Sequence, residues 1–277
     1  MLNIKGDYMK VGIFINTTKS EANKKASEFG HILTNNGIDS KVVNLKEDCK
    51  DIDIIAVFGG DGTILRVVDF AISYDIPVLA INIGTVGFLT SIEANELEKA
   101  VELIKNSSSY EKRSVMKVTY GDKKYYALNE VIVERRIDGG SISEIANLNL
   151  EIGGQFVDKY LADGIIIATP TGSTAYSLSA GGSILTPELN AFTATPICSH
   201  SLHIRPIVYS DNMTAKITVN EKSTKCALYV DGKFICKVPS GDSVEVSKSK
   251  NFVKFFKTNN TFFEKLLVKL NSWGYTK

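Results

Sequence analysis

Apolar residues in the first hundred positions come in short runs divided by stretches of helical period. Val11–Ile15, Lys41–Leu45, Ile54–Phe58 and Ile76–Ile81 read as strands. After the first of these, Ala22, Ala26, Phe29 and Leu33 recur every three or four residues. Thr18 and Glu21 have capping-box spacing, and Gly37 can end the helix. Ile64-Leu65 can open a second helix, and Glu96–Lys105 alternates apolar and charged residues at helical period. Strands alternating with helices predict a parallel sheet with helices on its faces, where ligands bind beyond the carboxyl ends of the strands.

From Ser114 the pattern becomes β-rich. Val115–Tyr120, Tyr125–Val133, Leu148–Ile152, Ile165–Ala168 and Ile217–Val219 read as strands, some joined by the turn pairs Gly121-Asp122 and Gly153-Gly154. Asp231-Gly232 between Ala227–Val230 and Phe234–Val238 is a hairpin signal, and Val244–Val246 and Phe252–Phe256 continue the series. Helical spacing returns in the tail, with Phe262-Phe263, Leu266-Leu267 and Leu270. The predicted architecture is an α/β N-terminal domain, residues 1–110, followed by a β-rich C-terminal domain, residues 111–256. The tail, 257–277, is expected to dock as a helix on the first domain.

Composition narrows the function classes. A hydrophobic fraction of 44% is ordinary for a globular protein with a real core. Lys+Arg 32 against Asp+Glu 31 leaves a formal charge of +1, so no basic field advertises nucleic acid or a membrane surface. Lys112-Arg113 and Arg135-Arg136 read as solvated faces. Cys49, Cys198, Cys226 and Cys236 are scattered, without a C-x-x-C pair or metal-ligand spacing, which suits reduced thiols in a cytoplasmic protein. Residues 1–8 lack the apolar core of a signal peptide and read as a dispensable extension. No later stretch approaches a transmembrane span.

Two stretches carry chemistry. Gly59-Gly60-Asp61-Gly62-Thr63 directly follows the apolar run ending at Phe58. Glycine lets backbone N–H groups approach a polyphosphate, and a following helix N-terminus favours anions. Gly59, Gly60, Gly62 and Thr63 are therefore candidates for a phosphate cradle. An acid in such a loop repels phosphate, so Asp61 needs a job: orienting or deprotonating an attacking hydroxyl, or engaging a metal ion. The plain alternative is a strand-end turn with a helix-capping carboxylate. The second stretch runs from Asp163 through the strand Ile165–Ala168 into a Pro/Gly/Ser/Thr turn, then Thr174-Ala175-Tyr176-Ser177-Leu178-Ser179 and Gly181-Gly182. Its hydroxyls, amides and one aromatic face suit a nucleoside or dinucleotide; the alternative is a connecting loop whose hydroxyls satisfy local backbone.

With both stretches in view, the chain resembles the NAD kinases. The matching residues are Gly59–Thr63, Asn129-Glu130, the block Asp163–Gly182, His200-Ser201-Leu202 with Arg205-Pro206-Ile207-Val208, and Asp231-Gly232. The glycine–aspartate element occurs in similar form in lipid kinases and phosphofructokinases, whereas the Asp163–Gly182 block singles out NAD kinase. Departures stand at Ser199, where proline is common, at His203 for asparagine and at Lys233 for glutamine, and they bear on substrate contacts. The resemblance implies a Rossmann-like donor-binding domain and a β-rich NAD-binding domain. It implies phosphoryl transfer from ATP or polyphosphate to the 2′-hydroxyl of the adenosine ribose of NAD. Asp61 becomes the catalytic base, and Asp61, Gly62, Asn129, Glu130, Asp163 and Thr174–Ser179 the NAD contacts. Mg2+ or Mn2+ is expected to come with the donor phosphates, using few protein ligands. A homodimer or homotetramer is expected, with the dinucleotide in a cleft between the domains. Competing readings are a lipid or sugar-phosphate kinase sharing the loop, and a non-catalytic dinucleotide-binding regulator.

Overall fold

Every residue from Ile54 to Phe58 is at most 3% exposed, a burial that a strand reaches only when both faces of its sheet are covered. The structure, a computed structural model, describes residues 9–15, 20–45, 50–84, 87–106, 110–136, 144–201, 203–221, 223, 225–258 and 261–274. The Thr18 cap, Cys49, Leu202 and the opening extension lie outside these. Two compact units are present, Met1–Lys112 with Val253–Lys277, and Arg113–Phe252.

The first unit runs β1 (Lys10–Ile15), α1 (Ser20–Asn35), β2 (Asp39–Val42), β3 (Ile54–Phe58), α2 (Asp61–Ile64), a 3-10 turn at Leu65–Val67, α3 (Val68–Tyr74), β4 (Val78–Asn82), β5 (Ile92–Glu93) and α4 (Leu97–Asn106). Its strands pair in the order β2-β1-β3-β4-β5, every pair parallel. Helix α1 buries Ala22, Ala26, Phe29 and Leu33. It ends in a Schellman motif: Ile38 N–H donates to the Leu33 carbonyl at 3.0 Å and Gly37 N–H to that of Thr34 at 3.0 Å. Gly37, at φ +72°, supplies the left-handed residue this motif needs.

Three boundaries differ from expectation. The strand expected at Lys41–Leu45 lies at Asp39–Val42, because parallel pairing with β1 starts at Lys10↔Asp39. The strand expected from Ile76 starts after Pro77, whose nitrogen has no hydrogen to donate to a ladder. The helix expected to open at Ile64 opens at Asp61, inside the glycine turn, and is broken by the 3-10 turn.

The second unit continues with β6 (Tyr110–Tyr120), which enters it at Arg113, then β7 (Lys123–Ala127), β8 (Glu130–Arg135), β9 (Ala146–Ile152), β10 (Gln155–Ala162) and β11 (Gly164–Ala168). A 3-10 turn (Gly172–Thr174), α5 (Tyr176–Ser179), β12 (Ala191–Ile197), β13 (Ile207–Ser210), β14 (Ala215–Val219), β15 (Cys226–Val230), β16 (Lys233–Val238) and β17 (Ser243–Phe256) follow. Strands β13-β12-β11-β8-β15-β16 form one six-stranded antiparallel sheet. A second layer holds β10-β9-β14-β17, also antiparallel, with the β6–β7 hairpin. Alternate residues of both layers, among them Ile165, Ile167, Leu148, Leu150, Ile217 and Val244, meet in one core. The opposite face of the six-stranded sheet buries Ile132, Ile166, Ala168 and Ile197.

Here too the structure corrects the expectation. Tyr125–Val133 is two strands, parted at Leu128-Asn129, while Val244–Val246 and Phe252–Phe256 belong to the single strand β17. Strands β10, β12 and β13 were not expected. β10 is exposed at four of its eight residues, and β12 carries Thr193, Thr195 and Pro196, so neither shows simple apolar alternation. Arg113, expected on a solvated face, is 7% exposed, and Arg135 pairs with Asp163 at 2.9 Å.

The chain returns to the first unit at the end of β17, where Phe255 pairs with Val78. Helix α6 (Phe262–Gly274) follows. Thr261 and Glu264 form a reciprocal capping box, Thr261 N–H donating to Glu264 Oε2 at 2.7 Å and Glu264 N–H to Thr261 Oγ1 at 3.3 Å. Among the described residues no helix is long and apolar enough to cross a membrane.

The Phe29 and Phe58 rings lie 5.6 Å apart in the first unit's core, both side chains fully buried. Phe29→Ala should therefore cost ~3–5 kcal/mol of stability. The expected result is a lower denaturant midpoint by circular dichroism; an unchanged midpoint would contradict the packing described.

Candidate active site

Asp61 is the first residue of α2, at the carboxyl end of β3. Its carboxylate accepts two backbone hydrogen bonds, Phe88 N–H to Oδ2 at 2.9 Å and Leu89 N–H to Oδ1 at 3.1 Å. These donors come from the loop after β4, so the carboxyl ends of two adjacent strands fix the acid. Charge-assisted bonds of this kind hold a carboxylate in one orientation. A Cβ at Gly87 would run into Asp61 Oδ1, so only glycine allows the loop to come this close. Asn82, 1% exposed at the end of β4, donates to the Gly84 carbonyl at 3.1 Å and to both Glu93 carboxylate oxygens.

The phosphate cradle expected from Gly59, Gly60, Gly62 and Thr63 is only partly available. Gly59 N–H is spent on the Ile81 carbonyl at 3.0 Å, and Thr63 N–H on the Gly60 carbonyl at 2.9 Å. Thr63 is 5% exposed. The N–H groups of Gly60 and Gly62, at the start of a helical turn, are the ones positioned like first-turn donors.

In the second unit, Asp231 does for Asn129-Glu130 what the Gly87–Leu89 loop does for Asp61. Its carboxylate accepts the N–H groups of Leu128 at 2.8 Å, Asn129 at 2.8 Å and Glu130 at 3.1 Å. That clamp explains the break between β7 and β8, because these amides bond a side chain instead of a neighbouring strand. Asp231 sits at φ +47° and Gly232 at φ +74°, the conformation of the expected hairpin turn.

Glu130 is 5% exposed, and its Oε2 has no hydrogen-bond partner. Burial, reinforced by the nearby Asp231 charge, pushes its carboxyl up to about 8. At neutral pH Glu130 is thus a neutral acid with an O–H to donate. Asn129 is 8% exposed.

The Asp163–Gly182 block packs against this pair. Thr169 N–H donates to the Asn129 carbonyl at 2.9 Å, and Thr169 Oγ1 to the Leu128 carbonyl at 2.5 Å. A Cβ at Gly172 would collide with the Asn129 carbonyl. Within the adenosine run, Thr174 Oγ1 donates to the Thr171 carbonyl, and buried Ser177 shares its hydroxyl with Thr193 and Thr195. Tyr176 is 40% exposed, Ser179 is exposed, and Ala175 and Leu178 are half-buried. The Asp163 carboxylate is held by Arg135 Nε. His200 is exposed, and Arg205 donates to the Ile204 carbonyl at 2.8 Å.

The chain thus carries an α/β unit whose strand-end glycine turn presents a fixed carboxylate and, next in sequence, a β unit with buried polar groups. Model matching assigns residues 12–110 to the ATP-NAD kinase N-terminal domain and residues 128–258 to the ATP-NAD kinase C-terminal domain. The NAD kinase of Caldicellulosiruptor bescii is 37% identical over 94% of this chain and 98% of its own length. That of Methanothermobacter thermautotrophicus is 34% identical over 96% and 98%. Among solved structures, yeast NADH kinase complexed with NADH superposes at TM-score 0.78 and 25% identity, covering 99% of this chain and 89% of its own. An NAD kinase from Archaeoglobus fulgidus in complex with ATP gives TM-score 0.79 and 25% identity over 94% and 99%. The chain belongs to the NAD kinase family.

Sequence reasoning missed the Phe88 and Leu89 amides, Asn82, and the clamping role of Asp231. The signal for the first was a second pair of glycines, Gly84 and Gly87, soon after a buried apolar run.

Because Glu130 keeps its proton in the fold while the unfolded chain loses it from 4.5 upward, the native state binds more protons between 4.5 and about 8. The resulting penalty is absent below that window, grows as pH rises through it, and is complete above it. Ligand-free Glu130→Gln should therefore lose less stability than the parent between pH 5.5 and pH 8, by up to about 3 kcal/mol. Thermal midpoints of both proteins at the two pH values measure this; parallel losses would exclude a protonated Glu130.

Proposed function

We propose that the protein transfers the terminal phosphoryl group of ATP to the 2′-hydroxyl of the adenosine ribose of NAD, giving NADP. The observation that carries this reading is the Asp61 carboxylate, pinned by two backbone N–H groups at the end of β3 in a chain of this family. Phosphoryl transfer asks a protein chiefly to position its reactants and stabilise charge. Each Asp61 oxygen accepts one amide and keeps lone-pair capacity for another donor. The ribose 2′-hydroxyl donates to it. As the new O–P bond forms and the bond to the leaving ADP breaks, the proton passes to Asp61. The transfer comes late, because a carboxylate is a poor base for an intact hydroxyl.

Residues 1–110, with the tail 257–277, bind the donor in this reading, and residues 111–256 bind NAD. Gly60 and Gly62 offer amides to phosphate, with Gly59 and Thr63 shaping the turn. Asn129 and Glu130 bond the adenine and ribose hydroxyls, Asp163 bonds ribose or nicotinamide amide, and Thr174–Ser179 line the adenosine. Tyr176 contributes its exposed ring, whereas Ser177 acts through its backbone, since its hydroxyl serves Thr193 and Thr195.

No group of three or more His, Cys, Asp or Glu side chains fit to hold a metal occurs among the described residues. Mg2+ or Mn2+ would arrive on the donor's phosphate oxygens, using few protein ligands. Such an ion neutralises charge on the transferring group. Inorganic polyphosphate is a second donor in this reading, and the protein works as a cytoplasmic homodimer or homotetramer.

Incubation with NAD, ATP and Mg2+, read as NADP formed, tests the assignment, with diacylglycerol and fructose 6-phosphate as competing acceptors. NADP should be the product; phosphorylation of either competitor alone would replace the reading with a lipid or sugar kinase. Asp61→Asn keeps the shape but not the proton acceptor, so kcat should fall by ~10²-fold or more. Its NAD affinity, measured by calorimetry, should change far less. Asn129→Ala should do the reverse, and near-normal turnover in Asp61→Asn would make Asp61 a loop-shaping residue.

A further inference from the structure

Helix α6 touches the loop that holds Asp61. Lys265 Nζ donates to the Phe88 carbonyl at 3.2 Å and to the Thr90 carbonyl at 2.8 Å. The Phe262 and Phe88 rings lie 6.1 Å apart. All these residues belong to the first unit. The apolar positions of α6 divide accordingly: Phe262 faces this loop, while Phe263, Leu267 and Leu270 are 66%, 62% and 43% exposed. Phe262 and Lys265 thus both reach from the start of the helix to this loop.

The Phe88 carbonyl and the Leu89 N–H belong to the same peptide group. Lys265 donates to one end of that group and the Leu89 end donates to Asp61 Oδ1 at 3.1 Å. A cation at the oxygen and an anion at the hydrogen polarise one peptide plane in the same sense, so each bond strengthens the other. The remainder of the loop is anchored independently. Gly87 and Thr90 close a small turn through the Thr90 hydroxyl, and Ser91 N–H donates to the Ala80 carbonyl of β4 at 2.8 Å. The stretch between those anchors presents the two amides, and Lys265 donates to the carbonyls of Phe88 within it and of Thr90 at its end.

We infer that Lys265 is a positioning residue for phosphoryl transfer: through the Phe88–Leu89 peptide it fixes the orientation of the Asp61 carboxylate, making the C-terminal helix part of the catalytic apparatus. The inference rests on the proposed catalytic role of Asp61. A hydrogen bond to a charged group is stronger than one between neutral partners, so its loss is felt. A comparable loss confined to the transition state lowers kcat by ~10-fold or more.

Lys265→Met removes the charge and the donors but keeps an unbranched chain, and Lys265→Arg restores both. The Met variant should lose ~10-fold in kcat while its NAD KM stays within about twofold, and the Arg variant should recover most of the loss. Backbone amide exchange, followed by mass spectrometry on the ligand-free protein, should speed up over residues 87–91 in the Met variant and not in the Arg variant. Protection of the β3 and β4 amides should be kept, which separates local release from general unfolding. A Met variant with kcat within about twofold of the parent, or with unchanged exchange at 87–91, overturns the inference. So does a loss of protection throughout the unit. The Asp61→Asn variant assayed alongside separates the two claims. If it loses turnover while Lys265→Met does not, only the positioning role falls; if it turns over normally, the catalytic reading of Asp61 falls first.

Discussion

In the proposed reading a carboxylate stands where a polyphosphate arrives, and this chain holds that carboxylate with backbone N–H groups. Asp61 takes the amides of Phe88 and Leu89. Asp231 takes those of Leu128, Asn129 and Glu130. Main-chain donors carry no net charge and cannot swing away, so they fix an acid without neutralising the surroundings a nucleotide needs. An arginine in their place would bind the carboxylate just as well, but it would compete for the phosphates. Asp163, which does have a guanidinium partner in Arg135, illustrates the other solution.

The two clamps work to different ends. Around Asp61 the donors leave lone-pair capacity for a hydroxyl, and the acid is half exposed at a helix start. Around Asn129-Glu130 the clamp lies beneath the polar pair and feeds negative charge toward it. Glu130, buried and close to that charge, keeps its proton and becomes a donor. Two acids of one type thus acquire opposite hydrogen-bonding roles from burial and neighbours alone, one accepting and one donating.

Much of the fold was legible because its strands obey simple rules. Ile54–Phe58 is apolar at every position and is buried at every position, and the Asp231-Gly232 turn lies between the strands its sequence demanded. What failed were elements defined by partners distant in sequence. Nothing local parts Tyr125–Val133 into two strands; the cause is Asp231, about a hundred residues away. β10 and β13 are peripheral strands with half-polar sequences, ordered by β9 and β12. The apolar spacing of the tail named Phe262-Phe263, Leu266-Leu267 and Leu270 alike. Of these, Phe263, Leu267 and Leu270 are exposed, while Phe262 meets the loop together with Lys265, a residue that an apolar pattern does not single out.

The glycines make the same point about sites. A glycine-rich strand end invites the reading that bare backbone lets phosphate come close. In this protein the missing side chains admit the protein's own groups first. A Cβ at Gly59 would meet the Thr63 hydroxyl; at Gly87, the Asp61 carboxylate; at Gly172, the Asn129 carbonyl; at Gly182, the Ser177 hydroxyl. Each of these neighbours is a residue of the proposed site. Gly60 and Gly62, by contrast, have nothing within 4 Å of an added Cβ, which leaves their surroundings open for a ligand. The glycines therefore fall into two sets that sequence alone cannot separate: one lets side chains pack against main chain, and the other leaves open space, at Gly60 and Gly62 where the proposed donor phosphates would sit. Alanine at Gly87 would displace Asp61 itself, whereas alanine at Gly60 would meet no protein atom, so only the first must disturb the ligand-free fold.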